Sequence, residues 1–198
     1  MWWWNPPDRV TTLEAVAVVF GIVSVWLSVR EHVVSWPTAI VSVSLYFFVF
    51  KSARLYADMG LQVFYAAISA YGWYHWLFGG ANHGALKVSR TPRPVWLALP
   101  VAWILGTLAL GTLLHRTTDA ALPYVDSALT VGSLLAQWMM TRKYVENWAI
   151  WVGLDIAYVA VFLNRDLNLT AFLYVVYGIL AWRGLVEWRR SLQPATAI

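Results

Sequence analysis

Trp148, Trp151, Asp155 and Tyr158 follow one another at intervals of three, four and three residues. On a helix that spacing puts two indoles, a carboxylate and a phenol on one face, with Asn147 beside them. Flat aromatic faces stack on a planar ring, and a cationic ring gains roughly 0.5–2 kcal/mol more from the π-face. A carboxylate and an amide bind hydroxyl groups and hold the ring in one orientation. The stripe therefore reads as a binding surface for a planar, polar ring that carries a sugar. The alternative is structural: Trp148 lies near the helix end, where an indole also serves as interfacial belt or packing, and Asp155 could instead anchor a Tyr or Ser of a neighbouring helix. Gln62, Gln137 and Tyr177 are further candidates, because polar groups inside apolar segments are costly unless they face an interior. For each glutamine, an interhelical hydrogen bond of roughly 0.6–2 kcal/mol is the competing explanation.

Other chemistries find no residues to carry them. The four histidines (His32, His75, His83 and His115) are scattered, without the paired spacing of a metal site. There is no GxSxG elbow and no phosphate-binding P-loop. The absence of cysteine removes disulfides, thiolate ligands and cysteine nucleophiles. A retinal Schiff base needs a lysine in mid-helix, whereas Lys51, Lys87 and Lys143 lie at loops or helix ends. These features imply a protein that is not an enzyme and holds no cofactor or metal.

The elements that must position the stripe are membrane helices. Of the 198 residues, 60% are hydrophobic and 12% charged, against about half and about a quarter in soluble domains. Charges come in short bursts such as Arg30-Glu31-His32 and Arg189-Arg190. Between them run apolar stretches of roughly 17–22 residues, the length that spans a hydrocarbon core. Seven such segments are expected, at 12–29, 33–50, 59–78, 95–114, 125–141, 147–163 and 169–186. Many of the fourteen tryptophans and ten tyrosines flank the charge bursts, as interfacial rings do. Pro37 falls near the start of the second segment, where proline is best tolerated. The net charge of +4 is spread over loops and implies no nucleic-acid partner. The first residues, MWWWNPPDR, lack the basic region and cleavage site of a secretory signal, so the first helix is expected to be retained.

Residues 13–76 laid on residues 125–188, a shift of 112 without gaps, agree at fourteen of 64 positions. The matches include Trp26/Trp138, Arg30/Arg142, Trp36/Trp148, Tyr46/Tyr158, Phe50/Phe162, Leu55/Leu167, Tyr65/Tyr177, Gly72/Gly184 and Trp76/Trp188. Chance similarity between apolar sequences explains matched valines, but not matched tryptophans and a matched loop arginine. The expected architecture is one all-α transmembrane domain. It has a three-helix repeat over about 12–78, a connecting helix over about 95–114 and a second repeat over about 125–188. A single intervening crossing gives both repeats the same orientation, the parallel 3+1+3 arrangement. With the N-terminus outside, inner loops hold nine Lys and Arg and outer loops five (Arg9, Lys51, Arg54, Arg116 and Arg165). The expected topology is N-terminus out and C-terminus in.

The segments FGIVSVWLSVREHVVSWPTAIVSVSLYFFVF, ENWAIW followed by Asp155, and LTAFLYVVY resemble the bacterial nicotinamide riboside transporters, the PnuC family. The resemblance covers about residues 12–192. It implies a fold similar to the sugar-carrying SWEET proteins and facilitated diffusion of a vitamin B3 nucleoside across the inner membrane, by alternating access. Intracellular phosphorylation would make that uptake one-way. It also implies a homotrimer. Tryptophan and asparagine of the sixth helix line the family's substrate site, which carries onto Asn147, Trp148 and Trp151, with Gln62 and Asp155 beside them. Similar proteins carry thiamin, riboflavin or deoxynucleosides, so those substrates stay open as alternatives, as does a non-transporting membrane scaffold.

Overall fold

A computed structural model describes residues 7–52, 56–118, 122–164, 166 and 168–192. The matched pair Leu55/Leu167 and the loop charges Arg54 and Arg165 lie outside them, as does the side chain of Arg9. The described chain is helical: α1 (Pro7–Val29), α2 (Ser35–Ser52), α3 (Tyr56–Phe78), α4 (Arg93–Thr117), α5 (Pro123–Thr141), α6 (Asn147–Leu163) and α7 (Asn168–Ser191), with a 3-10 turn at Ala81–His83. The seven expected segments are present. Helices α1, α3, α4 and α7 run three to six residues longer than expected, α5 two residues longer, α2 lies two residues later and α6 keeps its expected bounds, because hydropathy marks the apolar middle of a helix rather than its ends. Pro7 and Pro123 open α1 and α5, where the missing N–H has no intrahelical partner to lose. Helices α1, α4 and α7 are each long and apolar enough to cross a membrane, and α6 is a shorter apolar helix. The chain is a multi-pass membrane protein.

Two compact units divide the chain after Leu86. In the first, α2 packs against both α1 and α3. Two serines tie α2 to α1: Ser24 Oγ donates to the Ser35 carbonyl at 2.7 Å and Ser42 Oγ to the Ala17 carbonyl at 2.8 Å. Hydroxyl-to-carbonyl bonds of this kind join helices that gain little from apolar contact alone in lipid. On its other side α2 drives Trp36 against Gly72 of α3: a Cβ added there would lie 2.4 Å from the indole. Trp76 meets Trp36 edge-on at 5.2 Å and 89°.

In the second unit α5 packs against α4 and α6, and α6 packs against α7. Trp103 of α4 lies against Gly132 and donates its indole N–H to the Ala128 carbonyl at 2.8 Å. Trp148 of α6 lies against Gly184 of α7, where a Cβ would come within 2.4 Å, and meets Trp188 edge-on at 5.5 Å and 90°.

Equivalent positions in the two units carry the same local geometry. Glu31 and Lys143 are both left-handed, with φ of 56° and 52°. Around them Glu31 N–H donates to Ser28 and Lys143 N–H to Met140, His32 to Leu27 and Tyr144 to Met139, Ser35 to His32 and Asn147 to Tyr144. Arg30 lies over Trp26 at 4.7 Å and Arg142 over Trp138 at 5.8 Å. Tyr46 stacks on Phe50 and Tyr158 on Phe162, at interplanar angles of 21° and 15°.

Substituting Gly72→Ala or Gly184→Ala should each destabilise the protein by about 1–3 kcal/mol, the usual effect of overpacking. Gly153→Ala, where a Cβ meets nothing within 4 Å, is the control. Thermal unfolding in detergent checks the order; equal melting temperatures for all three variants would refute it.

Candidate substrate-binding site

The α5–α6 turn sets where α6 begins. Left-handed Lys143 reverses the chain, and the connector from the first unit runs alongside. Ser89 N–H donates to the Lys143 carbonyl and Val145 N–H to the Ser89 carbonyl, both at 3.0 Å. Thr91 then donates its backbone N–H and its hydroxyl to the same Glu146 carboxylate oxygen, at 2.8 and 2.7 Å. Bonds to an ionised acceptor are among the stronger ones, and here they fix the residue immediately before Asn147. Neither Thr91 nor Ser89 is among the sequence candidates. Thr91 lies 55 residues from Glu146, and no periodicity links the two.

Asn147 is fully buried. Its Nδ2 donates to the Tyr144 carbonyl at 2.6 Å, while its Oδ1 is buried without a partner. Trp148 is 1% exposed, and its indole N–H is likewise buried without a partner. Its ring is held between Gly184 and Trp188, so at least part of this side chain serves helix packing.

Further along α6, Trp151 is half-buried and packs on the cluster of Leu129, Ala136 and Leu154. Asp155 is 4% exposed and faces α7 at Gly178, where an added Cβ would lie 3.5 Å from its own. Tyr158 approaches Ser133 of α5 at 3.4 Å between hydroxyl oxygens. It also meets Tyr174 of α7 at 4.6 Å between ring centroids. Tyr177 joins through Tyr174 at 6.0 Å. The helical spacing thus brings Trp148, Asp155, Tyr158 and Tyr177 to the α6–α7 seam, with Trp151 turned towards α5. Ser133 was missed, although it stands one turn from Gln137 on α5. Gln137 itself is half-buried.

Gln62 belongs to the other unit. It lines an apolar pocket of about 270 Å³ with Ser44, Phe47 and Val63. A second pocket, of about 470 Å³, opens on a different face of α6 and is lined by Trp96, Trp103, Glu146, Ile150 and Leu154. None of Asn147, Trp148, Trp151 or Asp155 lines it.

Seven helices are those of a polytopic membrane protein, and within the second unit α6 and α7 meet along a seam that holds a buried carboxylate and a row of aromatic rings, with an unpartnered amide oxygen at the start of α6. The chain belongs to the nicotinamide mononucleotide transporter family, whose model matches residues 11–190. It is 29% identical to the nicotinamide riboside transporter PnuC of Escherichia coli strain K12, over 90% of this chain and 85% of that one. It is 28% identical to the riboflavin/roseoflavin transporter RibM of Streptomyces davaonensis, over 91% and 88% respectively. Its fold matches the crystal structure of the vitamin B3 transporter PnuC with a TM-score of 0.73 and 26% identity, covering 94% of this chain and 83% of that chain. These relatives are transporters rather than enzymes.

Thr91→Val removes one donor to Glu146 and should lower stability by about 1–3 kcal/mol. Thr91→Ser should retain it. Melting temperatures of the two variants in detergent test the clamp, and a valine variant as stable as the serine one would dismiss it.

Proposed function

We propose that this protein carries nicotinamide riboside across the bacterial inner membrane by facilitated diffusion. The observation that carries the reading is the family match from residue 11 to residue 190, which takes in all seven helices apart from the first turn of α1 and the last residue of α7. Substrate recognition is assigned to Asn147, Trp148, Trp151, Asp155, Tyr158 and Tyr177, with Gln137 and Gln62 as further contacts. Two atoms support this assignment. Asn147 Oδ1 and the Trp148 indole N–H are buried and unpartnered, as are Ser35 Oγ and the Trp36 indole N–H at the equivalent positions of the first unit, a costly state that a ligand's hydroxyl or carboxamide group would relieve. Trp151 offers the ring face for stacking. No covalent step is assigned to any residue.

The recurrence of the turn, the Trp–Gly contact and the Arg–Trp pair at a spacing of 112 residues supports descent from a duplicated three-helix unit. The two copies would lie parallel in one transmembrane domain, 3+1+3 as in SWEET proteins, with α4 between them. Rocking of one copy against the other would give alternating access. The lysine and arginine bias supports the N-terminus outside and the C-terminus in the cytoplasm. A homotrimer is the proposed assembly, and phosphorylation of the cargo inside the cell would make uptake one-way.

Purified protein in liposomes should pass radiolabelled nicotinamide riboside saturably without ATP or an ion gradient; uptake no faster than in empty liposomes would end the proposal. Trp151→Ala should weaken binding by about 1–3 kcal/mol, the scale of base–aromatic stacking, and unchanged affinity would remove that residue from the site. A reporter fused to the C-terminus should be active only in its cytoplasmic form. Riboflavin is the second reading, favoured by the match to RibM. It would be preferred if riboflavin displaced the riboside at lower concentration.

A further inference from the structure

The feature of the second unit that packing leaves unexplained is Asp155. It stands midway along α6 (Asn147–Leu163) and is 4% exposed. Among the described residues it forms no hydrogen bond and no ion pair. Neither α5 nor α6 contains a lysine or arginine, and the arginine of α7 nearest in sequence to Gly178, Arg183, is exposed. The side chains that share its seam are aromatic: Tyr158 stands about one turn further along α6. Tyr174 of α7 packs on Tyr158 at 4.6 Å, with Tyr177 beyond it.

An ionisable group inside a membrane helix is retained for a partner or a task, and among the described residues none is partnered with it. The carboxylate attracts positive charge, and the faces of the neighbouring rings do the same through their quadrupoles. Both features therefore carry one sign, and neither α5 nor α6 brings a lysine or arginine to satisfy it.

We propose that Asp155 makes the site selective for heteroaromatic cations over neutral rings of the same shape, by serving as counter-ion to the carried ring. The proposal rests on the reading of the α6–α7 seam as the substrate site and adds to it the charge class of the cargo. A pyridinium, as in nicotinamide riboside, and a thiazolium, as in thiamin, share that chemistry. A flavin does not. The carboxylate acts at a distance set by the stacked ring and makes no covalent bond.

The test uses a pair of ligands that differ in charge and little else: nicotinamide riboside and its reduced dihydro form, whose ring is neutral. The purified full chain is titrated calorimetrically with both, and with thiamin and riboflavin, as wild type, Asp155→Asn and Asp155→Glu. The wild type should prefer the cationic riboside to its dihydro form by roughly 30-fold or more, the range for a desolvated charge pair. Asp155→Asn should lose most of that ratio through weaker cation binding alone, and Asp155→Glu should keep much of it. Tighter binding of thiamin than of the riboside would support the cation class and reassign the cargo. Equal wild-type affinity for the two riboside forms overturns the proposal while leaving riboside transport intact, and that arm needs no variant to fold. An Asn variant that loses both forms equally also overturns it, because Asp155 would then act through the fold. Binding of riboflavin with none of the cations or the dihydro form would sink the riboside reading and this proposal together.

Discussion

An indole seated on a glycine holds each unit of this protein together. In lipid, apolar side chains gain nothing by leaving one another for the bilayer, so helices associate through close packing and a few polar bonds. Close packing requires a place where one backbone can receive another helix's side chain. Gly72 receives Trp36 and Gly184 receives Trp148, each at a separation that a single methyl group would violate. A second tryptophan, Trp76 or Trp188, then meets the first at right angles, the favoured geometry for two quadrupoles. With the third helix seated, the middle helix has its rotation set, and every other side chain on it has a direction.

That constraint divides the tryptophans by duty. Trp36 and Trp148 are nearly inaccessible, so their contribution to any ligand is confined to an edge. Trp151, one turn further along α6, is half-buried and free of such a glycine socket. The stripe that reads as one binding face in the sequence is therefore graded: structural where it begins at Trp148, polar and unpartnered at Asp155, aromatic again at Tyr158. The clamp of Thr91 on Glu146 acts at the start of this grade. It fixes the turn from which α6 departs, so the rotation imposed by Gly184 and the axial position imposed by the connector meet at Asn147.

The sequence made the helices and the 112-residue recurrence legible because both rest on signals that survive without coordinates: apolar length, and rare residues matched at a constant offset. Tryptophan, arginine and glycine are informative matches where valine is not. Duty was harder to read. Trp148 and Trp151 look alike in a periodicity argument, and only the position of Gly184 on another helix separates them. The Gly72/Gly184 match was available, but its partner tryptophan could not be assigned without the packing. Thr91 and Ser133 gave no signal, since hydrogen bonds across 55 and 25 residues leave no local pattern. Gln62 and the α6 stripe are grouped by polarity and by the family resemblance, and they fall in different units.

The relatives show why the remaining question concerns few residues. A riboside transporter and a riboflavin/roseoflavin transporter are 29% and 28% identical to this chain over nearly the same share of it. Identity of that kind measures the shared scaffold. It does not measure the cargo, because a fold hosts whatever its site is shaped and charged to hold. Discrimination is a difference of affinities, and a ring that must stack in either case is sorted by what lies at its edge. In this chain the groups proposed for that edge are an amide oxygen and an indole N–H without partners and a carboxylate that meets no cation among the described residues. The first two suit almost any polar ring. The third, on the proposal made above, would distinguish among rings by charge, and it stands at the centre of the helix, where an uncompensated charge is hardest to retain.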